Sequence, residues 1–284
     1  MRIEQAQIDQ YAQDGFLLLE NVFTGSETNL MLEEMFSVIL NDCPNRILEK
    51  NGMVRSFFAP ENFSSMFKDV LSLRRLVEPS EQLIGGPVYV HQTKLNTKSA
   101  MVGDWWEWHQ DYTFWKRDDG MPAPDVLTAM IFLNDVTEFN APLLVIPGSH
   151  DAGTIEVDEE VDIAGDTDKW FREYRKSTSY MSALTTDLKY TLEKKTILKW
   201  AVNKGITSVK GRAGSVLFFH GNIFHASANN LSPWDRHTFL ITYNSMNNTL
   251  PDMASPRPSF IASRSFIPVA ATEDDIILNK YASK

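Results

Sequence analysis

The stretch Trp106-Glu107-Trp108-His109-Gln110-Asp111-Tyr112 decides how this chain is read. In an extended segment side chains alternate between faces with period two, so His109 and Asp111 project to the same side. A histidine and a carboxylate so placed supply two of the three ligands of a two-histidine, one-carboxylate iron site, whose remaining positions stay open. Alone, an H-x-D triplet is weak, because an exposed turn carrying a histidine reads the same way. The rest of the chain must provide a third ligand and a fold to hold it.

The chain has 284 residues, enough to bury a sizeable core in one large domain, and its 43% hydrophobic and 23% charged content is that of a globular protein. Its net charge of -10 and the absence of any Lys/Arg-rich run exclude a nucleic-acid binder. Cys43 is the single cysteine, so neither an internal disulfide nor a thiolate metal cluster can form within the chain. It sits in Asn41-Asp42-Cys43-Pro44-Asn45 with no adjacent base, and we read it as a structural thiol. The opening Met-Arg-Ile-Glu-Gln is not signal-like and no stretch approaches a membrane span, so a cytoplasmic protein without membrane partners is expected.

Residues 4–14, 27–40 and 64–84 carry helical patterns, with Leu30, Leu32, Met35, Phe36, Ile39 and Leu40 forming the apolar face of the second. Gly15-Phe16-Leu17-Leu18-Leu19-Glu20 reads as a short buried strand. From residue 86 the character changes. Val88–Asn96, Leu127–Asn134, Leu143–Ile146, Ser215–Phe219 and Thr238–Tyr243 are short β-branched and aromatic runs punctuated by Gly, Pro, Asn and Asp. The expected fold is mostly β with flanking helices: a helical part over 1–85, then a jelly-roll, cupin-like core over 86–265, in one domain over 1–284. The stretch 156–205, with Trp170, Tyr174, Tyr180 and Trp200, interrupts the strands and reads as an insertion packed across one end as a lid. The tail after Pro268 reads as peripheral.

A second polar cluster, His220-Gly221-Asn222-Ile223-Phe224-His225-Ala226-Ser227, follows the apolar run Val216-Leu217-Phe218-Phe219 and leads to Asn230, Ser232 and Arg236. His220 and His225 compete for the third ligand position. Arg236, just beyond, offers a planar fork able to bind a carboxylate bidentately deep in a pocket. His91 and His150 are read as satisfied structural histidines, and His237 as a surface residue.

With H-x-D at 109–111, a distant His225 with Ser227, and Arg236, the chain resembles the phytanoyl-CoA dioxygenase superfamily of iron(II)/2-oxoglutarate oxygenases. The likeness extends through Val88–Asn96, Trp108–Tyr112, Phe114-Trp115, Asp118–Met121, Pro142–His150, Thr242–Ser245 and Arg257–Phe260, and covers about residues 10–265. These motifs are similar to the branch that holds ectoine hydroxylases and bacterial L-proline trans-4-hydroxylases. Leu48–Gly52, Gln92-x-Lys94, Gly103-Asp104 and Trp108–Trp115 stand closer to the latter, whereas ectoine hydroxylases usually carry arginine at the position of Lys94.

The resemblance implies that His109, Asp111 and His225 hold Fe(II), with family spacing selecting His225 over His220. It implies 2-oxoglutarate as co-substrate, its distal carboxylate on Arg236 with Ser227 and Asn96 assisting, O2 as oxidant and ascorbate as a stimulant. Halogenating relatives replace the carboxylate ligand by a small residue, so Asp111 points to hydroxylation. Gln92, Lys94 and Trp115 are the implied substrate contacts, with Trp106 as a further wall. The implied activity is hydroxylation of a small free amino acid, L-proline or a close cyclic analogue. Ectoine 5-hydroxylation and hydroxylation of a larger biosynthetic intermediate are the alternatives, and a non-catalytic binder would have no need of a complete ligand set. No feature of the chain specifies an oligomeric state.

Overall fold

The computed structural model describes residues 1–156 and 188–282. Helix α1 (Gln5–Asp14) opens with a capping box between Glu4 and Gln7 and ends on Gly15, whose φ of 78° turns the chain into β1 (Phe16–Leu19). A second capping box, Thr24 with Glu27, starts α2 (Gly25–Ile39). Strands β2 (Arg46–Leu48) and β3 (Val54–Phe58) follow, then α3 (Ser65–Val70), α4 (Arg74–Ile84) and the long β4 (Val88–Lys98). Next come β5 (Trp106–His109), α5 (Asp111–Asp119), β6 (Val126–Phe132), β7 (Leu143–Val145) and α6 (Lys194–Lys204). The chain closes with β8 (Thr207–Val209), β9 (Val216–His220), β10 (His225–Ser227), β11 (Arg236–Ser245) and α7 (Ile276–Tyr281).

The strands form two antiparallel sheets, a seven-stranded one in the order β1-β9-β6-β11-β4-β3-β2 and a four-stranded one in the order β5-β10-β7-β8. This is the expected jelly roll with flanking helices. Period-two alternation assigns each face of the larger sheet. Leu17, Leu95, Ile131, Phe218, Phe239 and Ile241 pack on its outer side against Met31, Met35, Phe67, Leu76 and Val77 of the helices. Phe132, Met130, Leu217, Phe219 and Leu240 face inward, against Leu143, Val145 and Val209 of the smaller sheet. β6 is buried along its whole length because both faces are covered. Since β1, β2 and β3 join the larger sheet, the first 85 residues share one core with the strands that follow.

Two expectations change. Residues 64–84 form two helices, α3 and α4, because the backbone at the break turns to the C-terminal segment. Thr272 N donates to Ser72 O at 2.7 Å, and Arg74 N donates to Thr272 O at 3.0 Å. The tail after Pro268 is therefore not peripheral. Val269 N donates to Val88 O, Ile277 is fully buried in the main core, and Arg75 reaches the Asp274 carbonyl at 2.9 Å. The sequence pattern missed this because six helical residues at the end of a polar tail give little periodicity to read.

The insertion expected over 156–205 falls between β7 and β8, which pair with each other. Trp170, Tyr174 and Tyr180 lie outside the described residues. Within them, Leu192 N donates to Trp108 O at 2.8 Å, and Trp200 of α6 meets Phe224 edge-on at 5.9 Å.

Replacing a fully buried aliphatic residue leaves a partly relaxed cavity as well as a lost transfer term. Ile277→Ala should therefore cost about 2–5 kcal/mol in urea unfolding, with the denaturant slope unchanged. A cost near zero would return the tail to the periphery.

Candidate active site

His225 and His109 are direct cross-strand partners where β10 pairs with β5. Gln110 continues the extended backbone with φ -116° and ψ 126°, and Asp111 is the first residue of α5, not a strand residue. The strand expected through Asp111 thus ends two residues sooner, yet one extended residue preserves the alternation and Asp111 still turns to the side of His109. At a helix start its charge also meets free amide groups favourably. Gln110 braces the corner: its side-chain amide donates to Gly153 O and Asn222 O at 2.8 and 2.7 Å, and its carbonyl accepts from Ile155 N.

His109 Nε2 lies 3.5 Å from Asp111 Oδ1, His225 Nε2 lies 3.8 Å from Oδ2, and the imidazole centroids are 4.1 Å apart. One ligand atom from each of the three residues falls within 4.8 Å of the others. The donor set tests whether a metal fits. His109 Nδ1 sits 2.6 Å from Glu107 O, and His225 Nδ1 sits 3.0 Å from Ile223 O. A carbonyl only accepts, so each Nδ1 carries a hydrogen, which leaves each Nε2 as the ring atom turned towards Asp111. Burial, reinforced by neighbouring His109, pushes His225 down to about 4, keeping it neutral near pH 7. Burial opposes the charge of Asp111, but His225, His109 and Lys94 hold its carboxyl well below the usual range. Two imidazole Nε2 atoms and a carboxylate converging in this way are a donor set that a divalent metal fits.

His220 is not part of this group. It ends β9 in the other sheet, accepts from Asn222 N through Nδ1 at 3.0 Å and lies tilted against the ring of His150 at 5.3 Å. His237 is buried, contrary to expectation, with its ring edge-on to Phe36 at 5.5 Å because α2 covers that end of β11.

A cationic end lies one step further along the strands. Arg236 pairs in register with Lys98, and both side chains reach the Ser227 hydroxyl, at 3.3 and 2.7 Å. Ser227 is two residues from His225, hence on the same face of β10. Among the described residues neither Arg236 nor Lys98 forms an ion pair, and Arg236 Nε has no hydrogen-bond partner. Burial, then nearby Arg236 and Arg55, pushes Lys98 down to about 5; burial, with Arg55, brings Arg236 to about 10. Asn96 lies on the same face of β4, where its carbonyl accepts from the Ser56 hydroxyl at 2.7 Å.

Gln92 and Lys94 do line a cleft with His109, Asp111 and Trp115, as the alternation predicts; Trp106, Phe114, Phe58, Leu188 and Arg257 complete it. The Gln92 amide donates to Ile261 O at 2.6 Å. Trp106 is sandwiched against the Arg55 guanidinium, 3.6 Å from its ring centroid, with Lys94 Nζ at 5.6 Å. Lys94, opposed first by burial, has its ammonium pushed down, with Asp111 acting the other way.

Sequence reasoning missed Lys98, Gln110 and Arg257. Lys98 was within reach, as the next member of the series Gln92, Lys94, Asn96 once the strand is extended by two residues. Arg257 lies in an irregular segment, where no periodicity indicates direction.

A jelly roll presenting two histidines and a carboxylate beside an open cleft defines a class of mononuclear non-haem metal enzyme. The comparisons narrow it. Residues 11–238 match the model of the phytanoyl-CoA dioxygenase (PhyH) family. L-Proline trans-4-hydroxylase of Streptomyces griseoviridis is 36% identical over 268 residues, covering 94% of this chain and 95% of that protein. Ectoine dioxygenase of Nocardia farcinica is 33% identical over 280 residues, covering 94% and 87%. The crystal structure of EctD from S. alaskensis with 2-oxoglutarate and 5-hydroxyectoine superposes with a TM-score of 0.79 at 25% identity, covering 95% of this chain and 88% of that one. The chain belongs to the phytanoyl-CoA dioxygenase family and is a dioxygenase. Among its described residues, no helix is long and apolar enough to cross a membrane.

The geometry separates the two candidate histidines by a metal titration. His225→Ala should lose stoichiometric divalent-metal binding while His220→Ala retains it, read by calorimetry with Fe(II) or Co(II); the opposite pattern would move the third ligand to His220.

Proposed function

We propose that this protein is an Fe(II)/2-oxoglutarate-dependent hydroxylase of a small free amino acid, acting on L-proline at C4 in the trans sense. The observation that carries the co-substrate is the cation pair Lys98 and Arg236, buried without a carboxylate partner among the described residues. Burying two side chains that are cations in water against one hydroxyl is costly, and Lys98 gives up its proton there unless an anion lies between them. They stand two residues along β10 from His225, a step of about 7 Å, which a five-carbon dicarboxylate spans.

In this reading His109, Asp111 and His225 hold Fe(II), which when bound supplies the oxidative decarboxylation of 2-oxoglutarate by O2 and the insertion of hydroxyl into a C–H bond. Arg236 and Lys98 bind the distal carboxylate, and the Ser227 hydroxyl, assisted by Asn96 from the same face of β4, sets its rotation. Glu107 O and Ile223 O keep both imidazoles in the metal-binding tautomer. In the cleft Lys94 and Arg257 take the carboxylate of the amino acid, and the Gln92 carbonyl accepts from its amine. Trp106, Phe114, Trp115 and Leu188 provide the apolar wall that excludes water around the ring. Leu188, within the expected insertion, is part of that wall.

Proline is preferred because the relative acting on it is 36% identical across nearly the whole of both chains. The likeness to EctD, with a TM-score of 0.79, favours ectoine as the second reading. Rings that differ by one methylene are separated by only about 1–3 kcal/mol in an apolar pocket, so turnover decides between them. A cytoplasmic setting, where ferrous iron and keto acids are available, and ascorbate stimulation belong to the same proposal.

The test is a screen of free amino acids and ectoine with Fe(II), 2-oxoglutarate and ascorbate, reading succinate and hydroxylated product by mass and NMR. L-Proline should stimulate succinate formation and yield trans-4-hydroxyproline. Turnover of ectoine alone would replace the substrate, and no stimulated turnover would reject the hydroxylase.

Arg236→Ala and Lys98→Met should each raise the 2-oxoglutarate KM about tenfold or more, the worth of one charge-assisted hydrogen bond, with metal content unchanged. The bound anion should also raise Lys98 from about 5, so binding at pH 7 takes up a proton. Calorimetric heats in buffers of different ionisation enthalpy should show this uptake, and Lys98→Met should abolish it. Equal heats in all buffers for the native protein would discount Lys98.

A further inference from the structure

Helix α5 carries a carboxylate at each end. Asp111, its first residue, faces His109 and His225; Asp119, its last, is fully buried and grips Arg257 through both oxygens, from Nε at 2.7 Å and from Nη2 at 2.5 Å. Helix stability does not account for Asp119. A negative charge in the last turn opposes the helix dipole, and burying it costs more still. Nor does Arg257 stay in place by itself, since it comes from an irregular segment. With Nε and Nη2 engaged, its Nη1 makes no hydrogen bond among the described residues, and its side chain lines the cleft beside His109 and Asp111.

The far end of the helix is fixed to the same segment. Met121 N donates to Trp115 O at 3.0 Å, closing the helix over Gly120, whose φ is 73°. A Cβ on Gly120 would lie 3.1 Å from Pro251, six residues before Arg257. His91 Nε2 stands 3.5 Å from the second Asp119 oxygen, and its ring is edge-on to Trp115 of the cleft at 5.5 Å. The carboxylate is thus carried by the helix, gripped by the segment it organises, and approached by His91 of β4.

We propose that Asp119 is a positioning residue. It acts through Arg257 to set how far the substrate carboxylate sits from the metal-binding face of Asp111, with α5 as the spacer. Eight helical steps make that spacer about 12 Å long. The inference rests on the reading of the cleft as an amino-acid site and deepens it: the carbon attacked is the one that this fixed separation brings to the metal.

The experiment compares Asp119→Asn, Asp119→Glu, Arg257→Lys and the Asp119→Asn/Arg257→Lys double variant in the full chain loaded with Fe(II), using L-proline as probe. Separate KM values for L-proline and 2-oxoglutarate, succinate formed per hydroxyproline, product regiochemistry and calorimetric L-proline binding are read. Asp119→Asn should raise the L-proline KM and Kd about tenfold, leave the 2-oxoglutarate KM within about twofold and increase succinate per hydroxyproline. In the Arg257→Lys background it should add little, because both changes remove one arrangement. If Asp119→Asn does not fold, Asp119→Glu carries the test: it keeps the charge but displaces Arg257 by one methylene, and should uncouple decarboxylation from hydroxylation. Effects of the two sites that simply multiply, or unchanged coupling in Asp119→Glu, overturn the positioning role. An Arg257→Lys variant that binds L-proline normally rejects the amino-acid reading of the cleft itself, whereas a weakened Arg257→Lys beside an indifferent Asp119→Asn rejects only the role of Asp119.

Discussion

Two short antiparallel strands, β5 and β10, lie side by side with His109 opposite His225, and the chemistry of the molecule depends on that pairing. The two residues are separated by more than a hundred positions in the chain, so only strand register can hold their rings 4.1 Å apart. A shift of one residue would turn one imidazole to the opposite face and leave Asp111 beside a single partner. Register is held from both sides: Ala226 pairs with Leu144 of β7, and the Gln110 amide ties the end of β5 to the loop before β10.

Burial then determines what the paired side chains can do. Both imidazoles are oriented with Nε2 inward by backbone carbonyls two residues earlier in the chain. The same low-dielectric interior makes Lys98 and Arg236 uncomfortable neighbours, with only Ser227 between them. A cation is wanted at one end of this short path and an anion at the other. The larger sheet can tolerate such a polar inner stripe on β4 because its outer face, packed by the helices and closed by the C-terminal segment, holds the main apolar core. Stability and chemistry occupy opposite faces of one strand.

The ligand residues are legible in the amino-acid sequence. H-x-D offers two donors by residue type and spacing, the family resemblance implies the distant histidine with serine and the arginine beyond it, and alternation puts Gln92, Lys94 and Asn96 on one face. The choice between His220 and His225 is not legible from the residues, since both follow the same apolar run; family spacing selects His225. The fold separates them by sheet: His220 ends a strand of the larger one and His225 begins a strand of the smaller one. The break between α3 and α4 and the burial of Ile277 are also invisible in the chain, because both depend on contacts between residues about two hundred positions apart.

Element types, ligand chemistry and the sidedness of the strands are written in the chain, because they depend on local periodicity and on what each side chain can donate. Which histidine meets Asp111, that Lys98 joins Arg236, and that Asp119 reaches Arg257 are settled in three dimensions alone. Each of those is a pairing of distant charged or polar groups, and nothing local in the chain specifies which partner a folded backbone will bring within hydrogen-bonding distance.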